Sequence, residues 1–214
     1  MTQEDIVSVF PLPNVVFFPH TQLPLHIFEP RYFQMIREAV QTHQLIGMFL
    51  LKPGWQEDYY GNPPIYSIGC AGELSQVDPL PKQRYNIVLR GLYRARALET
   101  VQEYPYRKVR VQILPETLTQ SPKLIHQLQK SLLADVAKLA TEPVEFDPSL
   151  DFSQLVNLIA YSLDLDANMK MELLQKDDVF LRARLLQKLL RKRVSVMEWT
   201  QKFASLRPND PTLN

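Results

Sequence analysis

"PLPNVVFFPHTQLPLHIFEPRY", residues Pro11–Tyr32, sets five prolines (Pro11, Pro13, Pro19, Pro24 and Pro30) among residues that otherwise read as buried strand. Proline has no backbone N–H to give a ladder, so within sheets it is confined to edges, strand starts and bulges. The apolar runs between the prolines are therefore expected to be short strands that bend often. Such strands suit the corners of a small barrel better than a flat sheet.

Working outward, the apolar residues from Ile6 to Leu114 come in short runs or alternate: "IVSVF", "LPLHIF", "LIGMFLL", "YNIVLRGLYRARALETV" and "RKVRVQIL". Each is rich in branched or aromatic residues and bounded by Pro, Gly or Asn, which is how strands read. One helix interrupts them: Tyr32, Met35, Ile36, Ala39 and Val40 recur at helical spacing after Pro30, a residue tolerated in a first turn. Past Pro115 the period changes. Ser121 and Pro122 read as an N-cap and first helical residue, and Leu124, Leu128, Leu132, Val136 and Leu139 or Ala140 continue one stripe. The acidic, proline-bearing "TEPVEFDPSLD" (Thr141–Asp151) reads as a connector. Helices follow around 153–163, 167–175 and 177–203, the last with Asp177 and Asp178 where its dipole favours negative charge. The expected organisation is a β-rich unit over 1–116, a helical unit over 117–207 and a flexible tail over 208–214.

Lys and Arg number 24 against 23 Asp and Glu, so the molecule as a whole attracts neither nucleic acid nor membrane. The single cysteine, Cys70, excludes an intrachain disulfide and points to a reducing compartment. The acidic start "MTQEDIVSVF" is unlike a secretory signal, and the apolar windows fall short of the ~20 residues of a membrane helix. The expected location is cytoplasmic. There is no G-x-x-x-x-G-K-[ST], no G-x-G-x-x-G, no G-x-S-x-G and no H-E-x-x-H, so no catalytic, cofactor or metal site is expected. His20 and His26 read as edge histidines, and Cys70, with small apolar neighbours, as a buried structural thiol.

Three features bear on binding. The loop "KPGWQEDYYGNPP" (Lys52–Pro64) offers Trp55, Tyr59 and Tyr60, either as contacts for a partner or as packing beneath the loop. Arg90, Arg94 and Arg96 alternate along one strand, with Arg107, Lys108 and Arg110 on the next, so several could share a face that grips phosphate. The plainer reading pairs these cations with Glu73, Glu99 or Glu103. On the last helix Arg184, Lys188, Arg191 and Lys192 form a solvated basic face.

"FPLPNVVFFPHTQLPLHIFEPRY" (Phe10–Tyr32) closely resembles the opening of the amino-terminal, substrate-recognition domain of Lon proteases, above all in Phe28, Glu29, Pro30, Arg31 and Tyr32. "IGCAGEL" (Ile68–Leu74), "RYNIVLRGLYRARALE" (Arg84–Glu99, with Arg90, Gly91 and Arg94 in the family's R-G-x-x-R pattern) and "LLQKDDVFLRARLLQKLL" (Leu173–Leu190) extend the resemblance over nearly the whole chain. Pro81-Lys82-Gln83 departs from the family's Asp-Gly turn, so that hairpin is expected to be longer or differently shaped. The resemblance implies an α+β fold: a PUA-like distorted β-barrel followed by a helical bundle, with the proline-broken strands at its corners. It further implies a stand-alone, non-enzymatic binding module, because the sequence reaches only to where the ATPase of Lon would begin. Its partners would be unfolded or apolar protein segments, bound in an apolar groove of the first half, with a protease acting in trans. RNA binding through the arginine strands is the alternative, since PUA-type barrels also serve that role. In such a fold Glu29 is expected to pair with Arg90 or Arg94. Oligomeric state stays open.

Overall fold

The structure, a computed structural model, describes residues 3–204; the tail expected over 208–214 lies outside them. Six strands come first: β1 (Glu4–Leu12), β2 (Gln22–Ile27), β3 (Ile46–Leu50), β4 (Ile68–Leu80), β5 (Arg84–Gln102) and β6 (Lys108–Leu114), with helix α1 (Pro30–Thr42) between β2 and β3. Four helices follow: α2 (Pro122–Leu139), α3 (Phe152–Ser162), α4 (Ala167–Leu174) and α5 (Val179–Ala204).

The strands run in the order β2-β5-β4-β3-β1-β6, and β6 pairs back onto β5, which closes a ring of five with β2 laid outside it. β5 makes closure possible because it serves two neighbours in succession. Residues 85–90 pair with β2 and residues 94–102 with β6. Between them lies a bulge, where the β4 register jumps from Ala71–Tyr93 to Gly72–Gly91 and Leu92 has no opposite number. An extra residue bends and twists its strand, and this one turns β5 from one edge to the other.

Of the five prolines, Pro24 lies within the outlying edge strand β2 and Pro30 opens α1, where no donor is needed. The run Val15–Pro19 was expected as a strand and is none. It crosses the sheet as irregular chain with Val16, Phe17 and Phe18 buried, tied down by hydrogen bonds from His20 N to Gly91 O (2.9 Å) and from Gly91 N to Thr21 O (3.0 Å). Gly91 has to be glycine for this crossing, because a Cβ there would run into the Phe18 carbonyl.

Three cores result. Val7, Val9, Phe49, Ala71, Ala95, Val109 and Val111, drawn from every strand of the ring, fill the barrel. A second core lies under α1, which buries Tyr32, Met35, Ile36 and Ala39; Val40, read as part of that stripe, is half exposed. The third joins the halves, packing Val16, Phe18, Leu50, Ile68 and Leu114 against the helices. Ser121 is the N-cap of α2 as expected, although Leu124, at the head of the predicted stripe, is exposed. Asp151 and Gln154 form a capping box on α3, and the Asp178 carboxylate accepts from Phe180 N (2.7 Å) to start α5.

Candidate functional site

Lys52–Pro64 leaves the barrel after β3 and folds on itself. A short 3₁₀ turn, Trp55–Asp58, is entered through Gly54 at φ 87°, a left-handed conformation that glycine adopts at little cost. The Asp58 carboxylate then accepts from Asn62 N (3.0 Å). The aromatic rings form a chain: Trp55, half-buried, sits 5.4 Å from Tyr59, and Tyr59 sits 5.0 Å from Tyr60. Tyr60 ends the chain 84% exposed.

Arg31 fastens this loop to the start of α1. Its guanidinium lies 4.7 Å from the Tyr32 ring centre and 5.2 Å from that of Tyr59, donates to Glu29 Oε2 (3.1 Å) and to the Tyr59 carbonyl (3.1 Å), and leaves Glu29 Oε1 to accept from Tyr59 Oη (2.7 Å). Burial, and then the bond to Glu29, push the Tyr59 phenol up; burial pushes Tyr32 up as well. The expected pairing of Glu29 with Arg90 or Arg94 is therefore corrected. Glu29 takes the arginine two residues away, Arg90 takes Glu73, and Arg94 faces the helices.

Opposite the loop is the turn joining β5 to β6. Arg107 ties the two together by donating to Asn62 Oδ1 (3.0 Å) and to the Pro63 carbonyl (2.8 Å), and burial lowers its affinity for the proton. Tyr104 stands on this turn 73% exposed. The cleft between loop and turn, lined by Arg31, Tyr32, Tyr60, Tyr104 and Arg107, encloses only about 20 Å³. That is room for about one water, so what the site presents is an aromatic rim and not the apolar groove expected of the first half. Tyr104 escaped the sequence reading because "EYPYR" lies between strands without a periodic signal. Phe28, read as a structural motif residue, is 63% exposed and stacks on His26 at 6.2 Å.

The basic residues do not assemble one face. Arg90 bonds Glu73 (Nε to Oε1 2.9 Å), Lys108 reaches Glu38 (3.3 Å), and Arg110 holds Glu99 (2.8 Å) with Glu4 at 3.9 Å. Of the four β5 arginines, Arg84 and Arg96 are exposed without an ion pair among the described residues. Arg94 is fully buried and so unavailable to a nucleic acid. It donates to Leu174 O (3.1 Å), Pro115 O (3.0 Å) and Asp177 Oδ1 (2.8 Å), capping the end of α4 from the barrel side. Beside it Arg182, also buried, donates to Leu173 O (3.2 Å), Asn157 Oδ1 (2.6 Å) and Glu116. Burial alone would raise the Glu116 carboxyl; Arg182, with hydrogen bonds from Ser153, Arg182 and Asn157, outweighs it and holds the group below the usual carboxylate range.

Cys70 is buried, and its thiol is pushed far up by desolvation. His26 Nδ1 lies 2.8 Å from Asn86 Oδ1. Among the described residues no three His, Cys, Asp or Glu side chains converge, and no helix is long and apolar enough to cross a membrane.

This architecture has counterparts among known proteins. The Lon N-terminal domain protein from Xanthomonas campestris superposes with a TM-score of 0.59 at 23% identity, covering 87% of this chain and 98% of that one. The N-terminal domain of the Mycobacterium avium complex Lon protease does so at 0.62 and 20%, again covering 87% and 98%. In sequence, Lon protease of Anaeromyxobacter dehalogenans and Lon protease 2 of Myxococcus xanthus are each 28% identical over 96% of this chain, which spans only 26% of either protein. The family described as the ATP-dependent protease La (LON) substrate-binding domain matches residues 6–192, and the chain belongs to that family.

Proposed function

We propose that this chain holds exposed apolar or unfolded segments of other proteins and presents them to a protease supplied in trans, with no ATPase or peptidase chemistry of its own. Family membership supports protein-substrate binding in general. The observation that carries the finer reading is the pair of exposed tyrosines, Tyr60 and Tyr104, on the two lips of one cleft whose base is fixed by Arg31 and Arg107. Aromatic side chains on a rigid base bury much area on contact and lose little conformational freedom.

Capture of a chemically denatured model protein tests it. Replacing Tyr60 and Tyr104 together by Ala should weaken capture by ~2 kcal/mol, about thirtyfold, with the thermal midpoint unchanged, since neither side chain is buried. Binding of the native chain should survive high salt; steep loss with salt would instead favour the arginine strands and a nucleic acid. Added to a Lon-type protease, the chain should speed degradation of the captured client. Unchanged capture by the double variant would sink the assignment of the site.

A further inference from the structure

A second hollow, of about 380 Å³, opens between the end of α1 and β4 and shares no residue with the aromatic cleft. It exists because neighbouring strands differ in length. β4 is 13 residues long, but β3, its neighbour on one side, has 5 and pairs with it only at Cys70, Ala71 and Gly72. From Glu73 to Leu80 β4 is therefore paired on one side alone, with β5. Among the described residues no loop, cap or side chain hydrogen-bonds to the main chain of residues 74–79. This free edge faces α1, which ends at His43 and leaves Val40 half exposed beside the hollow.

Proline shows which groups the edge offers. Pro79 stands opposite Tyr85 and has no N–H to give it, so the alternation of an antiparallel ladder turns Pro79 outward, and with it Val77, two residues earlier. Past the bulge at Ser75, Leu74 stands opposite Leu89, which has the same sense as Ile87 and Tyr85. On the far side of β5 the ladder agrees: Pro24, also without a donor, stands opposite Val88, so Leu89, Ile87 and Tyr85 are the residues that bond β2. The free edge thus presents the N–H groups of Leu74 and Val77 and the carbonyls of Leu74, Val77 and Pro79, over about 17 Å at ~3.4 Å per residue.

We infer that this edge takes up an extended segment of another protein as an added β-strand, lying in the hollow with alternate apolar side chains towards Val40. The site is separate from the aromatic cleft, and takes from the proposed function only that the partner is an unfolded protein. The main chain selects the occupant. A row of unpaired N–H and C=O groups matches a strand, whose own groups need the same partners; a helix has already satisfied its own. The side chains agree. Leu74 and Val77, both half-buried, pack against the core under α1, so a strand continuing the sheet sets every second residue along the same apolar wall. Charge does not select it, because Glu73 is held by Arg90 and the Gln76 amide donates to Asp78. With α1 alongside, the bulge towards one end and Pro79 at the other, the edge accommodates one short strand and not open-ended pairing.

A fluorescent, end-capped peptide of about eight residues, with Val at alternate positions and Thr or Lys between, is titrated with the full chain and followed by anisotropy. Saturable binding, little changed by high salt, is expected. N-methylation of alternate backbone amides should abolish binding for one set and spare it for the other, since only one set faces β4. Val77→Pro should weaken binding at least about tenfold while melting no lower than Val77→Ala, because the N–H it removes bonds nothing in the fold. Val40→Asp should weaken binding as well. The Tyr60→Ala, Tyr104→Ala double variant should bind this peptide normally, so failure here is distinguishable from failure at the aromatic cleft. Absence of binding, equal behaviour of the two N-methylated peptides, or indifference to both Val77→Pro and Val40→Asp overturns the inference. So does a Val77→Pro chain that melts well below Val77→Ala, which would show that N–H used within the fold, or loss of the peptide by the tyrosine double variant. Self-association abolished by Val77→Pro would make a second copy the occupant, and tighter peptide binding once residues 205–214 are removed would make it the chain's own end; either result overturns the inference too.

Discussion

Arg90 and Arg94 lie four residues apart on β5 and differ wholly in circumstance. The Arg90–Glu73 pair has side chains 57% and 39% exposed, so water solvates both charges almost as well when they part. Arg94 is 0% exposed and supplies donors to two main-chain carbonyls and to Asp177. Its Nε, with Glu116 Oε1 at 3.8 Å, is a buried donor left without a hydrogen bond. Arg94→Met should therefore cost about 3 kcal/mol or more, because it leaves the Leu174 and Pro115 carbonyls without their donor and removes a cation from beside Glu116. Arg90→Met should change stability by less than about 1 kcal/mol. Urea titrations of the two variants check this, and equal losses would show that burial is not what separates them. Alternation along the strand cannot distinguish the two, since both lie at even positions.

At the level of elements, the β4–β5 hairpin departs from an ideal turn. Leu80 pairs with Arg84 across Pro81-Lys82-Gln83, and Lys82 (φ 62°) and Gln83 (φ 58°) are both left-handed. Each such residue with a Cβ costs roughly 1 kcal/mol relative to glycine. Lys82→Asn with Gln83→Gly should stabilise the protein by about 1 kcal/mol, read as a higher denaturant midpoint at unchanged m. The departure of this turn from the family pattern was visible in the residues, but its backbone was not. Strand identity was legible wherever a partner existed on either side. It failed at Val15–Pro19, where the alternation of a strand is present and the ladder is missing, because these side chains alternate between two cores while the backbone bonds a bulge instead of an edge.

Across the whole molecule the barrel and the helices are joined by a shared apolar core and by the buried Arg94–Glu116–Arg182 cluster. Glu116 has a folded pKa below its unfolded value, so its contribution is complete above about pH 4.3 and is lost as pH falls through the folded pKa. Thermal stability should drop as pH is lowered beneath that point. Glu116→Gln should be less stable at neutral pH and show a shallower acid slope; parallel slopes would place the acid sensitivity elsewhere. By itself the sequence determined the class of fold, the passage from strands to helices, the N-cap of α2 and the family, because periodicity, proline placement and capping chemistry act over a few neighbouring residues. Tertiary structure alone decided which arginine is buried, that Glu29 accepts from Tyr59, and that Tyr104 comes to line one cleft with Tyr60. Each of those depends on segments tens of residues apart meeting in space, and on which face of a strand another element happens to cover.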